Sequence, residues 1–186
     1  MKHTVNGTIL VGLLMMAALI CACKKNKPES NGDGPVTQHI DCVNNLKEIG
    51  LAFKLWAGEH NGRFPFQVST NAGGTMELCL PDVVGFDGNS CLHFKMLYGN
   101  DGLNSPLLLV CPQDTSKQAI TNWQSLTAEN VTYRLRTGTN VSDANPHEIL
   151  AVCPVDGNIL YCDGTVKESP QYLKNNPAAT NGMHVQ

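Results

Sequence analysis

Between Asp41 and His60 the apolar residues Cys42, Leu46, Ile49, Phe53 and Trp56 recur at alternating spacings of four and three. That spacing marks one stripe of an α-helix. Val43, Leu51 and Leu55 extend the apolar surface beside it. Asp41 is suited to cap the start, and Asn61-Gly62 to end the helix ahead of Pro65. A single helix cannot bury such a face, so the pattern demands a sheet beneath it.

The rest of the chain reads mainly as strands. Thr75–Leu80 reads as a short strand or extended arm, and Cys91–Gly99 as a short helix. Pro106–Cys111 is an apolar run stopped by Pro112, the pattern of a buried strand. Val131–Arg136 alternates apolar and polar residues with the period of a half-buried strand. His147–Cys153 and Asn158–Val166 read as two more strands joined through Asp156-Gly157, a hairpin turn signal. One helix followed mostly by strands predicts an α+β domain with an antiparallel sheet.

The N-terminus changes where this domain is expected to live. Ile9–Ile20 is apolar throughout apart from Gly12. It is short against the roughly 20 apolar residues of a membrane span and matches the core of a secretory signal. The run ends in Ile20-Cys21-Ala22-Cys23, which resembles the lipobox of bacterial lipoproteins, with Ala22 before the modified Cys23. Lys24–Thr37 is polar, contains Pro, Gly and Ser, and has no apolar period, as expected of a flexible tether. The expected organisation is a signal peptide over 1–22, a lipidated cysteine and tether over 23–37, and one globular domain over 38–186. Lys24 rather than Asp after Cys23 favours the outer membrane if the cell has two. Either way, the head faces the extracytoplasmic side of the envelope.

Of 186 residues only 16% are charged, and the net charge is −3. No basic stripe with interleaved aromatics is present, so no nucleic-acid partner is expected. Setting aside Cys21 and Cys23, six of the eight cysteines belong to the domain. None has Cys-x-x-Cys spacing, which removes the zinc-knuckle and thioredoxin patterns. An even number in an exported domain predicts disulfides. Sequence does not fix their connectivity. Cys153 and Cys162 sit on the two strands of the expected hairpin, and Cys79 and Cys91 bracket an Asp- and Gly-rich loop. That leaves Cys42 and Cys111 to join helix to sheet. A bridge closing a loop of about 15 residues contributes on the order of 3 kcal/mol.

No catalytic, cofactor-binding or metal-binding set is read from the sequence. The histidines, His3, His39, His60, His93, His147 and His184, show no His-Glu-x-x-His pattern and are expected at the surface or in caps. There is no nucleophile elbow and no phosphate-cradling glycine loop. Asp82, Asp87 and Asn89 are close enough in sequence to offer oxygens to Ca²⁺ but do not follow the EF-hand order, and turn formation is their simpler use. Asn130 and Asn140 open glycosylation sequons, matches that a bacterial lipobox makes incidental.

The segment Cys42–Pro65 resembles the stretch after the membrane helix in the pseudopilins, the prepilin-like proteins of bacterial type II secretion. Its Cys-x-Asn-Asn-Leu-Lys-x-Ile-Gly-Leu-Ala run and its Asn-Gly-x-x-Pro ending carry the likeness. Asn71–Leu78, His93–Leu97 and Leu107–Thr115 resemble the middle of such chains, and Asp163-Gly164 a pair near their end. Cys153 stands where one large subgroup has histidine. The resemblance spans Asp41 to Val166 and implies a pilin-like fold, one helix laid on an antiparallel sheet. The prepilin-peptidase motif and the long apolar helix that build filaments are absent from this sequence. The expected protein is therefore a non-enzymatic, lipid-anchored head with an interaction role in the envelope or beside secretion proteins. The competing expectation is a lipid-tethered small-ligand or glycan-binding module, with Phe86, Trp123 and Tyr133 as its aromatic candidates.

Overall fold

The computed structural model describes residues 35–99, 102–169 and 175. They fall within one compact unit, Gly32–Gln186. The expected signal peptide, Cys23 and most of the tether lie outside the described residues.

Helix α1 runs from Pro35 to Glu59. It starts ahead of the expected Asp41 cap, which stands inside the helix instead. Proline is tolerated at a first helical position because its missing N–H would have no partner there. Cys42, Leu46, Ile49 and Phe53 of the predicted stripe are fully buried, joined by Ala52 and Ala57, while Trp56 packs at the edge. Leu51 and Leu55 are exposed, so the buried face is narrower than the sequence pattern. The helix ends where expected. Asn61 takes the left-handed conformation at φ 57°, and Gly62 N–H donates to Ala57 O at 2.8 Å, a Schellman closure.

Strands β1 (Arg134–Leu135), β2 (Ile149–Val152), β3 (Asn158–Tyr161) and β4 (Val166–Glu168) form an antiparallel sheet in chain order. The β2–β3 turn closes as predicted at Gly157, whose φ is 76°. The segment read as one strand from Asn158 to Val166 is two. Asp163-Gly164 turns the chain, with Asp163 Oδ1 accepting from Thr165 N–H and Oγ1. Helix α1 lies on β3 at close range. A Cβ added at Gly50 would stand 2.8 Å from Leu160 Cδ1 and 3.2 Å from Gly164 Cα.

Two predicted strands are not strands. Pro106–Leu109 is a 3₁₀ turn opened by Ser105, whose Oγ accepts from Leu107 N–H. Thr75–Leu80 contains a 3₁₀ turn at Met76–Leu78. Short apolar runs do not separate these forms by periodicity. Helix α2 (Ser90–Met96) forms as predicted. Around Phe53, the rings of Phe64, Phe66 and Phe94 stand at centroid distances of 5.3, 6.0 and 6.2 Å, tying α1 to α2 and the turns between.

Candidate functional site: a buried thiol cluster

The six described cysteines are free thiols, not bridged pairs. Hairpin register explains why Cys153 and Cys162 do not meet. Cys153 N–H donates to Asn158 O beside the turn, whereas Cys162 N–H donates to Glu148 O at the open end. About four residues of strand separate those positions, roughly 13 Å at 3.3 Å per residue. Disulfides need Cα atoms within about 7 Å. Cys79 Sγ points to Phe66 O and Thr75 O at 3.6 and 3.8 Å, while Cys91 lies on α2. The third expected pair is different. Cys42 and Cys111 are brought together, unbonded, and Cys153 joins them.

Cys42, Cys111, Cys153 and Asp156 each offer one ligand atom within 4.8 Å of the others. Three separate segments deliver them. Cys42 comes from the buried face of α1. Cys111 follows the 3₁₀ turn that runs beneath α1, where Asn45 Nδ2 donates to Val110 O. Cys111 N–H donates to Thr132 Oγ1 at 3.1 Å, and that hydroxyl donates to Asp114 Oδ2 at 2.7 Å, fixing the loop. Cys153 directly follows β2, and Asp156 sits in the β2–β3 turn. All three sulfurs are fully buried with their residues.

The surroundings donate hydrogen bonds to sulfur. Asn158 Nδ2 donates to Cys42 Sγ at 3.3 Å, and Tyr133 O–H reaches the same sulfur at 3.7 Å. Asp156 N–H donates to Cys153 Sγ at 3.4 Å. Cys111 Sγ lies 3.6 Å from Asp156 Oδ2. Outside the cluster, His39 stands 3.6 Å from Asp156 through Nδ1 and 2.8 Å from Glu168 through Nε2.

Proton affinities divide accordingly. Hydrogen bonds from Cys153 and then Cys42 pull the Cys111 thiol down to about 5. Their interactions with Cys111 push the Cys42 and Cys153 thiols up. Burial, reinforced by Cys42, raises the Asp156 carboxyl to about 6. A bond to Glu168 raises His39 despite desolvation. The three thiols thus shift in opposite directions through their contacts with one another, Cys111 down and Cys42 and Cys153 up.

A second trio, Cys79, Asp87 and His93, also lies within 4.8 Å. Its carboxylate is already occupied. Asp87 accepts from Leu80 N–H, Asn89 N–H and Thr137 Oγ1 at 2.7 to 2.9 Å, and His93 Nε2 stands 3.4 Å away. Asp82 turns away to Val84 N–H, Phe86 N–H and Arg134, and Asn89 Nδ2 donates to Leu78 O. The three loop residues considered for Ca²⁺ therefore direct their side chains to different backbone partners.

The aromatic candidates are buried. Trp123 stacks on Tyr98 at 5.1 Å, Phe86 lies beneath the Arg134 guanidinium at 4.6 Å, and Tyr133 faces the thiols. Phe86, Tyr133, Arg134 and Lys117 also border a cleft of about 510 Å³. His93 departs from the surface role expected of it, being fully buried, while His39 stays partly exposed at the border of the cluster. The sequence reading did not group the three thiols because Cys42, Cys111 and Cys153 are far apart in the chain. The one available signal was the grouping of Cys153, Asp156 and Asn158 around a hairpin turn. Comparison with family models, with curated proteins and with solved structures returns no match.

Proposed function

We propose that the chain is an exported, lipid-anchored protein whose pilin-like head has a non-enzymatic interaction role in the cell envelope, beside secretion proteins. The observation that supports this most directly is α1, one long helix laid on an antiparallel sheet. Its buried residues Cys42, Leu46, Ile49 and Phe53 belong to the segment that resembles pseudopilins. The lipobox-like residues ending at Cys23 support a lipid anchor on that cysteine, and the polar residues after it the reach. Among the described residues no helix is long and apolar enough to cross a membrane, so no described segment supplies a membrane-spanning filament stem. Metabolic labelling with a palmitate analogue tests the anchor. Label is expected on the wild-type chain and absent from Cys23→Ala. Co-purification of secretion or prepilin-type components with wild type, lost when the head is deleted, tests the role. A labelled chain that captures none of them removes the secretion reading.

A second reading has the cleft beside Phe86 and Tyr133 in its favour. Its apolar floor carries a polar rim in which Lys117 pairs with Glu129 at 3.6 Å and Arg134 with Asp82 at 2.8 Å, the few convergent polar groups that a small-ligand pocket uses. Titration calorimetry against small anions and glycans is the check. Binding lost on Lys117→Ala supports a tethered ligand-binding module, and the absence of heat in all titrations removes it.

A further inference from the structure

We infer that Cys42, Cys111, Cys153 and Asp156 form a closed site for a thiophilic divalent cation of the zinc class. The inference is independent of the proposed anchoring and secretion role.

Number is the first argument. A disulfide uses two sulfurs and would leave the third, fully buried, beside a buried carboxylate. A four-coordinate metal uses all four groups together. Geometry is the second. Ligands at Zn–S and Zn–O lengths of about 2.3 and 2.0 Å stand roughly 3.5 to 3.8 Å apart across a tetrahedron. Cys111 Sγ and Asp156 Oδ2 are already 3.6 Å apart, and no pair of ligand atoms exceeds 4.8 Å. A small contraction of side chains completes the tetrahedron.

Outer contacts are the third argument. Asn158 Nδ2, Tyr133 O–H and the Asp156 N–H direct donors at the sulfurs. Donors to sulfur stabilise bound thiolate and fix its orientation, as second-shell groups do in metal sites. His39 holds Asp156 from outside, linked in turn to Glu168. Ligand chemistry sets the metal. Three sulfurs select a soft or borderline ion and disfavour Ca²⁺ and Mg²⁺, which require oxygen ligands. Four protein ligands leave no open position, which marks a structural site. On binding, each thiol releases its proton to solvent as its sulfur bonds the metal, and no electron is exchanged.

The test uses the full chain in detergent, reduced, stripped of metal and titrated with Co²⁺. One equivalent is expected to bind, with a thiolate-to-cobalt charge-transfer band of three-sulfur intensity and the strong visible bands of tetrahedral cobalt. Zn²⁺ should displace it. Cys42→Ser, Cys111→Ser and Cys153→Ser should each weaken Zn²⁺ binding by more than about tenfold. Cys91→Ser and Cys162→Ser should leave it unchanged. Because the wild-type spectrum counts the sulfurs directly, a variant that fails to fold does not remove the test. An octahedral spectrum without the thiolate band, or no stoichiometric binding, overturns the inference. So does a Cys42–Cys111 disulfide in metal-free protein isolated without reductant.

Discussion

Asp87 shows how a single buried carboxylate can hold together three parts of the fold. Desolvation alone would raise its pKa. The bonds from His93, Thr137 and the Asn89 and Leu80 amides outweigh that and hold it below its ordinary 3.8. A carboxyl depressed on folding contributes stability above the unfolded value and loses it as pH falls through the folded one. The melting midpoint should therefore drop as pH is lowered below about 4. Asp87→Asn should flatten that part of the profile while costing about 2–4 kcal/mol at neutral pH, because buried donors lose a charged acceptor. Thermal unfolding across pH measures both effects. Phe53 offers a simpler case. On the buried face of α1, three other rings close around it, so Phe53→Ala should cost about 3–5 kcal/mol in denaturant unfolding.

At the scale of elements, α1 and β3 meet so closely that Gly50 has no room for a side chain. Alanine there would gain about 1 kcal/mol of helix propensity. It would also press on buried Leu160 and the backbone at Gly164, an overpacking cost of about 1–3 kcal/mol. Gly50→Ala should lower the melting midpoint by calorimetry despite its better helix propensity. Some of this scale was legible in the sequence and some was not. The stripe from Cys42 to Phe53 revealed α1 because a helix repeats one face every three or four residues. Asn61-Gly62 and Asp156-Gly157 announced their turns through the residues that accept left-handed backbone. Pro106–Leu109 did not announce its 3₁₀ form, because a short apolar run looks the same in either state. Asp163-Gly164 carried a turn signal hidden within an otherwise strand-like run. The thiol cluster had only a faint local signal, Cys153, Asp156 and Asn158 around one hairpin turn. It exists only because α1, the Cys111 loop and the β2–β3 turn converge.

For the whole molecule, the proposed layout places a folded head after a polar connector. Limited proteolysis of the full chain in detergent should cut first before residue 35, releasing a resistant fragment that begins at the start of α1. Early cleavage within the sheet instead would contradict that division. Bound metal would add to the head's resistance, since it would tie the helix to both the loop and the turn.

The separation of the cluster's members along the chain also imposes an order in time. During synthesis Cys42 emerges first, Cys111 next and Cys153 last. For a while the nascent protein carries two of its three sulfurs without the third or the carboxylate. An oxidant met in that interval encounters Cys42 and Cys111, with Cys79 and Cys91 between them in the chain, before Cys153 has arrived. On the proposed export route, oxidation before the hairpin arrives would compete with completion of the four-ligand site.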